Sequence, residues 1–211
     1  MELVTSPLFG LFLLAAVALA ITPGPGIAYV LARTVSGGRA DGLASTAGTA
    51  LGGLVHVVAA AAGLSALLMQ SAGAFTIVRY VGALYLIYLG VRTLFAGSAP
   101  AGVVRIRSHG ARRAFIEGVV VEALNVKTAI FFLAFLPQFV HPALPLLTQF
   151  VVLGLICVAL NTAIDVAVVL GASAALSRSS MQGRIRTWLR RVSGTTMVAL
   201  GIGVVVLRSE R

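Results

Sequence analysis

Long apolar runs alternate with short polar, arginine-containing segments along almost the whole chain. A run of roughly 20 apolar residues is long enough to cross a bilayer as a helix. The runs lack the residue-by-residue alternation of polar and apolar side chains that marks the strands of a membrane barrel. The pattern therefore predicts an all-α, polytopic bundle of six transmembrane helices in one domain, at residues 8–34, 41–69, 76–96, 113–139, 147–175 and 190–208.

The first predicted span is interrupted by the segment Thr22-Pro23-Gly24-Pro25-Gly26. Proline has no N–H, and its ring clashes with the carbonyl four residues earlier. Pro23 and Pro25 should therefore free the carbonyls of Leu19 and Ile21. Because broken backbone survives at membrane depth only where protein or a cavity satisfies it, we expect residues 23–25 to face the protein interior and to line a substrate site. A kink that serves helix packing alone is the alternative.

The composition agrees with a membrane protein, since the chain is 59% hydrophobic and 10% charged. Its formal net charge of +10 comes from arginines in the short loops, so we expect no nucleic-acid partner. Most of these arginines, including Arg33 and Arg39 between the first two spans, fall on one side of the bundle, which the positive-inside rule makes cytoplasmic and where we expect them to meet anionic lipid headgroups. Both termini are then predicted to lie outside, across the inner membrane if the cell is Gram-negative. The N-terminal residues lack the basic start of a signal peptide, so we expect the first span to be retained.

Two later spans carry polar or ionisable side chains: Glu117, Glu122, Asn125 and Lys127 in the fourth, and Asp165 in the fifth. A charge at mid-membrane costs about 2.5–3.5 kcal/mol on insertion scales, so such residues usually pair or line a pathway. Glu122 and Asn125 share a helix face, and with Lys127 they predict a polar substrate pathway. Asp165 is a candidate partner of Lys127, ligand of a substrate ammonium, or proton carrier. Structural ion pairs that lock helices together are the alternative, and Glu117 is expected to be solvated.

Redox, metal and hydrolytic chemistry find no support in the sequence. Cys157 is the only cysteine, which excludes paired-cysteine chemistry, and we expect it to pack as a small hydrophobe. His56 is the only histidine within a predicted span, and we interpret it as a hydrogen-bonded residue between helices rather than a ligand or proton carrier. No HExxH-like spacing or Ser/His/Asp set lies within a span. The chain is therefore predicted to be no enzyme, with no catalytic residues, metal or cofactor.

The predicted spans divide into two halves of three, 1–96 and 113–211, joined by a cytoplasmic loop at 97–112. An odd number of spans in each half gives the halves opposite orientations in the membrane. Inverted repeats of this kind are typical of secondary transporters, which place their substrate site near the midplane between the repeats. Small residues in the second, third and sixth spans would serve packing within the bundle or a homodimer interface equally well.

A weak internal alignment supports this division. Residues 20–32 align with residues 122–134, which lie 102 positions later. The alignment superimposes residues 23–25 on residues 125–127. Transporter sites typically lie where helices are interrupted at corresponding positions of two repeats. Both segments are therefore predicted to contribute to the same site.

Four motifs occur one after another along the chain. They are Thr22-Pro23-Gly24-Pro25, Gly48–Gly53 with His56 and Gly63-Leu64, Gly82–Gly90, and Leu124-Asn125-Val126-Lys127 followed by Phe131–Phe139. Together they resemble, over almost the whole chain, the LysE/RhtB family of bacterial amino-acid exporters. The resemblance implies six spans and efflux of amino acids or close derivatives, driven by the proton motive force.

On this resemblance, the carbonyls of the first break would accept from a substrate ammonium. Lys127 would meet the substrate carboxylate, Asn125 would orient it, and Asp165 or Glu122 would carry the coupling proton. Efflux of another small metabolite or an organic cation is the alternative that these acids permit. The family pattern Asn-Pro-Lys reads Asn-Val-Lys here, so Val126 removes a proline clash and leaves open whether the fourth span is broken.

Overall fold

The computed structural model describes residues 7–64, 110–141 and 144–175, together with isolated positions between 71 and 91. Within these residues the chain is helical and contains no strand, which agrees with the predicted all-α class. The third predicted span, apart from single positions, and the sixth span and residues 97–109 of the predicted loop lie outside the described residues. The described helices are α1 (Pro7–Ile21), α2 (Pro25–Ala59, extended by a π-helical turn Ala60–Leu64), α3 (Ala111–Ala123), α4 (Val126–Ala134, followed by a 3-10 turn Leu136–Gln138) and α5 (Leu146–Ala175).

Two of these helices are long and apolar enough to cross a membrane, namely Pro25–Leu64 and Leu146–Ala174. The pair Ala111–Ala123 and Val126–Gln138 passes the same criteria when it is counted as one span with a bend of 43°. Helix α1 is apolar but shorter. The described residues thus support a multi-pass membrane protein, whereas the count of six spans and the inverted repeat stay predictions.

Helix α2 reverses direction at Gly38, which has φ 76° and ψ −170°. Glycine adopts this positive-φ conformation readily because it has no Cβ. The two segments of α2 contact α3 at matching levels: Gly26 and Gly52 lie against Glu122, whereas Arg33 and Ser45 lie against Glu117 and Gly118. The two segments of α2 therefore run in opposite directions along α3. The reversal lies between the first two predicted spans.

Small residues let the second segment of α2 pack tightly on α3. A Cβ added at Gly118 would lie 2.6 Å from the Ser45 carbonyl oxygen, and one added at Gly48 would overlap the Phe115 carbonyl. Gly52 is crowded in the same way by the backbone of Val119. The small-residue spacing therefore brings two helices of the same chain into close contact, as such motifs do in membranes.

An apolar core lies where α1, α4 and α5 meet the end of α2. Its buried residues include Phe12, Ala15, Ala16 and Leu19 in α1, Val57, Ala60 and Ala61 at the end of α2, Phe131, Phe132 and Phe135 in and after α4, and Phe150, Leu153 and Cys157 in α5. The prediction that Cys157 packs as a small hydrophobe is confirmed. Large apolar side chains such as Leu14 and Val58 face outward instead, as expected for helices in contact with lipid.

A buried ion cluster ties the first segment of α2 to α3 near Gly38. The Arg33 side chain is fully buried and pairs with Glu117, and its Nε donates to the Tyr29 hydroxyl at 3.0 Å. Arg113 donates to the other Glu117 oxygen at 2.7 Å from a more exposed position. The expectation that Arg33 meets the headgroups is therefore wrong, because its side chain is fully buried; Glu117, which was expected to be solvated, is 34% exposed and is held by two arginines.

We predict that Gly118→Ala destabilises the fold by about 1–3 kcal/mol, because the added methyl group overpacks a tight contact. Gly171→Ala is the matched control, since Gly171 is also helical but has no atom within 4 Å of an added Cβ. The measurement is the thermal unfolding midpoint of the purified protein in detergent. Equal midpoints for the two variants would contradict the close packing of α2 on α3.

We predict that Arg33→Met costs about 1.5–3 kcal/mol, because it removes buried hydrogen bonds from a charged group to Glu117 and Tyr29. Arg113→Met should cost at most about 1 kcal/mol, because it removes an exposed pair to the same carboxylate. Thermal unfolding of both variants at one salt concentration gives the comparison. A larger shift for Arg113→Met would show that the exposed pair stabilises this end of the bundle.

Candidate functional site

Two helix breaks lie side by side within the bundle. Helix α1 ends at Ile21 and α2 begins at Pro25, and α3 ends at Ala123 and α4 begins at Val126. The second break forms although Val126 stands where a proline would enforce it. Asn125 has φ −74° and ψ 99°, and its side-chain oxygen accepts from the backbone N–H two residues later at 3.1 Å. Asn125 therefore acts as the N-cap of α4, a position that asparagine favours.

Lys127 bridges the two breaks. Its Nζ donates to the carbonyl oxygen of Thr22 at 2.8 Å and to that of Leu19 at 3.2 Å. The Leu19 carbonyl is one of the two that the prolines were predicted to free; it accepts from Lys127 and also from the Thr22 N–H at 3.2 Å, in place of the N–H that Pro23 lacks. A Cβ added at Gly24 would lie 3.0 Å from Lys127 Cε. Glycine at this position therefore lets the lysine side chain lie across the first break.

The rings of the two prolines do not face the site. The side chains of Pro23 and Pro25 are exposed, whereas the neighbouring Thr22 is 1% exposed. The expectation that residues 23–25 face the interior is therefore wrong for both rings. The part of the first break that faces the protein is its backbone, because Lys127 binds two of its carbonyls. The prolines contribute by withholding backbone N–H groups rather than by contact.

Glu122 is buried beside the second break and is bound by two donors from its own span. Its Oε2 accepts from Asn125 Nδ2 at 2.9 Å, and its Oε1 accepts from the Thr128 hydroxyl at 2.7 Å. A Cβ added at Gly26 would lie 2.6 Å from Glu122 Oε2. The carboxylate therefore lies directly against the backbone of α2. The Asn125 side chain is engaged at both ends, by Glu122 and by the Lys127 amide.

Asp165 lies on α5 and contacts a hydroxyl of α2. It is 5% exposed, and its Oδ2 lies 3.0 Å from Thr49 Oγ1. The same hydroxyl lies 2.9 Å from the carbonyl oxygen of Thr46. A hydroxyl has one proton to donate. While Asp165 is ionised, Thr49 shares this one proton between the carboxylate and the carbonyl oxygen of Thr46, whereas a protonated Asp165 can donate to Thr49.

His56 joins α2 to the end of α3. Its Nε2 lies 2.8 Å from the carbonyl oxygen of Glu122, and its ring packs 5.9 Å from that of Phe132 between centroids. A carbonyl oxygen only accepts, so Nε2 carries the hydrogen of this bond. The interpretation of His56 as a hydrogen-bonded residue between helices is therefore confirmed.

A cavity of about 20 Å³ lies beside the two breaks, with room for about one water molecule. Its polar lining comprises Thr49, Glu122, Asn125, Lys127, Thr128, Asn161, Thr162 and Asp165. The structure thus brings together every ionisable or amide side chain among the predicted site residues. Thr49 and Thr128 were missed. Thr128 continues the three-residue spacing of Glu122 and Asn125, so the sequence could have indicated it. Thr49 lies among glycines that pack helices, and nothing in its surroundings in the sequence points to a site.

Comparisons with known proteins agree with the motifs. An uncharacterized membrane protein of Vibrio cholerae serotype O1 is 30% identical over 195 residues, which cover 90% of this chain and 93% of the relative. A homoserine/homoserine lactone efflux protein of Salmonella typhimurium is 29% identical over 179 residues, or 85% and 82% of the two chains. A leucine efflux protein of Salmonella choleraesuis is 30% identical over 137 residues, or 64% of each. No solved structure matches the chain.

The family match extends beyond these individual relatives. The model of the family described as LysE type translocator matches residues 17–208, which include both helix breaks and every residue of the cavity. This match confirms the resemblance that the motifs carry. The chain therefore belongs to the LysE type translocator family, and it is a transporter rather than an enzyme.

Proposed function

We propose that this protein exports amino acids or close derivatives from the cytoplasm by secondary transport, in exchange for protons. Relatives named as homoserine/homoserine lactone and leucine efflux proteins support the substrate class. The observation that carries the proposal is the ammonium of Lys127 resting on backbone carbonyls of the first break, in a cavity that also holds two carboxylates. This arrangement contains acceptors for an ammonium and a movable cation for a carboxylate.

A zwitterion fits this arrangement by exchange. The substrate ammonium replaces Lys127 at the carbonyls of Leu19 and Thr22, which are acceptors with the geometry for an amine donor. The released Lys127 then pairs with the substrate carboxylate, and charge-assisted bonds of this kind are among the stronger ones. Asn125 acts indirectly, because it holds Glu122 and caps the helix that carries Lys127.

Transport also requires the bundle to open. A cavity of about 20 Å³ does not hold an amino acid, so binding and release need different arrangements of the helices around the breaks. The two breaks end their first helices at Ile21 and Ala123, which correspond in the alignment of the two halves. We propose that the halves are inverted repeats that rock against each other around this site, as in other secondary transporters.

Asp165 is the better candidate for the coupling proton. The carboxylate of Glu122 accepts from two donors that each supply their own hydrogen, which suits an ionised group. Asp165 instead faces a hydroxyl that has a second acceptor, which suits a protonated carboxyl. The charged groups that interact with Asp165 are Glu122 and Lys127. A movement of the Lys127 ammonium when substrate binds would therefore alter the affinity of Asp165 for a proton.

Efflux of a small organic cation is the second candidate, because the cavity holds two carboxylates and one lysine. The discriminating experiment is counterflow of labelled amino acids and of labelled organic cations in proteoliposomes. Exchange of amino acids supports the first candidate. Exchange of cations without amino acids would replace the first candidate with the second.

We predict that Lys127→Ala lowers amino-acid counterflow at least about tenfold, because loss of a buried, hydrogen-bonded charge costs more than about 2 kcal/mol. Val126→Ala is the matched control, since the neighbouring side chain is 53% exposed and contributes no polar group. Both variants are measured in proteoliposomes after their unfolding midpoints are compared. Normal counterflow by folded Lys127→Ala would remove the lysine from the mechanism.

We predict that Asp165→Asn still exchanges substrate but no longer responds to a pH gradient. The amide can donate to Thr49 as a protonated carboxyl does, and it cannot release that proton. Glu122→Gln should keep the response to the gradient, although its rate should fall. The measurement is net efflux with and without an imposed gradient. A gradient response in Asp165→Asn that is lost in Glu122→Gln would assign the proton to Glu122.

A further inference from the structure

We propose that His56 is a positioning residue that holds the break between α3 and α4 open, and thereby sets the place of Lys127. This inference rests on the proposed transport function only for its activity measurement. Leu124, Asn125 and Val126 are all residues that a continuous helix accepts. The break therefore needs a cause other than the covalent restriction that proline imposes on the first break.

The hydrogen bonds around the break identify that cause. In a continuous α-helix the Glu122 carbonyl would accept from the N–H of Val126. Here it accepts from the N–H of Asn125 at 2.9 Å and from His56 Nε2 at 2.8 Å. The N–H of Lys127, which would otherwise bond the carbonyl of residue 123, bonds the Asn125 side chain. Two side chains thus take over the bonds that would close the helix.

Of these two side chains, only His56 comes from another helix. It is 7% exposed, lies in the second segment of α2 and packs against Phe132 of α4. The histidine is therefore fixed by packing and presents a donor to the end of α3, where helix carbonyls lack partners within the helix. Its bond connects α2 to the residue whose carboxylate lines the cavity. Loss of that donor would favour continuation of the helix through residue 125 and would turn Lys127 away from the first break.

A proline at position 126 offers an independent way to impose the same break. Val126 is the first residue of α4, a position where proline fits because the N–H has no acceptor within the helix. Asn125, with ψ 99°, already has the extended conformation that precedes proline. The exposed side chain of Val126 leaves room for the ring. Val126→Pro should therefore be tolerated in the native structure and should exclude the continuous helix.

The test combines these changes. We expect His56→Leu to lower the maximal rate of amino-acid counterflow at least about tenfold, and His56→Gln, which keeps an N–H donor, to retain most of it. Val126→Pro alone should be close to wild type. The double variant His56→Leu/Val126→Pro should recover at least about half of the wild-type rate. A histidine needed only for packing would not be replaced by a proline on another helix.

Amide hydrogen exchange of residues 122–128 gives a readout that does not depend on the substrate. We expect altered protection in His56→Leu and restored protection in the double variant, even if the wild type transports no amino acid, in which case only the proposed function fails. Recovery of folding by Val126→Pro, where His56→Leu alone does not fold, also supports the inference. A Val126→Pro variant that is inactive although the wild type is active, or a double variant that matches His56→Leu in rate, in protection or in failure to fold, would overturn it.

Discussion

The structure depends on one constraint, which is that backbone groups freed from a helix at membrane depth must find partners in the protein. Two helices are broken side by side, and each break leaves carbonyls without helical donors. The ammonium of Lys127 satisfies two carbonyls of the first break while its own helix begins at the second. One side chain therefore joins both interruptions. The helices can be broken here because the lysine is present, and the lysine can be buried because the helices are broken.

The two breaks are made by different means. Pro23 and Pro25 interrupt the first helix covalently, and their rings face away from the cavity. The second break is made by hydrogen bonds, from Asn125 within the helix and from His56 across to it. A break made by hydrogen bonds can close again when its partners move, whereas a proline break cannot.

The sequence predicts those features of the structure whose cause lies within a few residues along the chain. A proline's effect on the carbonyl four residues earlier follows from covalent geometry, and the Leu19 carbonyl is indeed available to another donor. The sequence did not decide whether the fourth span is broken, because His56, which bonds the Glu122 carbonyl at that break, lies 66 residues before Glu122. Arg33 was assigned to the membrane surface because its partner Glu117 is 84 residues away. Periodicity and composition identify which residues are polar at membrane depth, but they do not identify which distant side chain each one meets.

The position of Lys127 also bears on which substrates the cavity favours. An organic cation without a carboxylate would compete with the lysine for the carbonyls of Leu19 and Thr22, and would leave the displaced ammonium to Glu122 or Asp165. Glu122 is already bound by Asn125 and Thr128, so that ammonium would have to disturb the second break or pair with an ionised Asp165. A zwitterion carries its own carboxylate to the displaced lysine and avoids both. The proposed exchange therefore favours substrates that bring one charge of each sign.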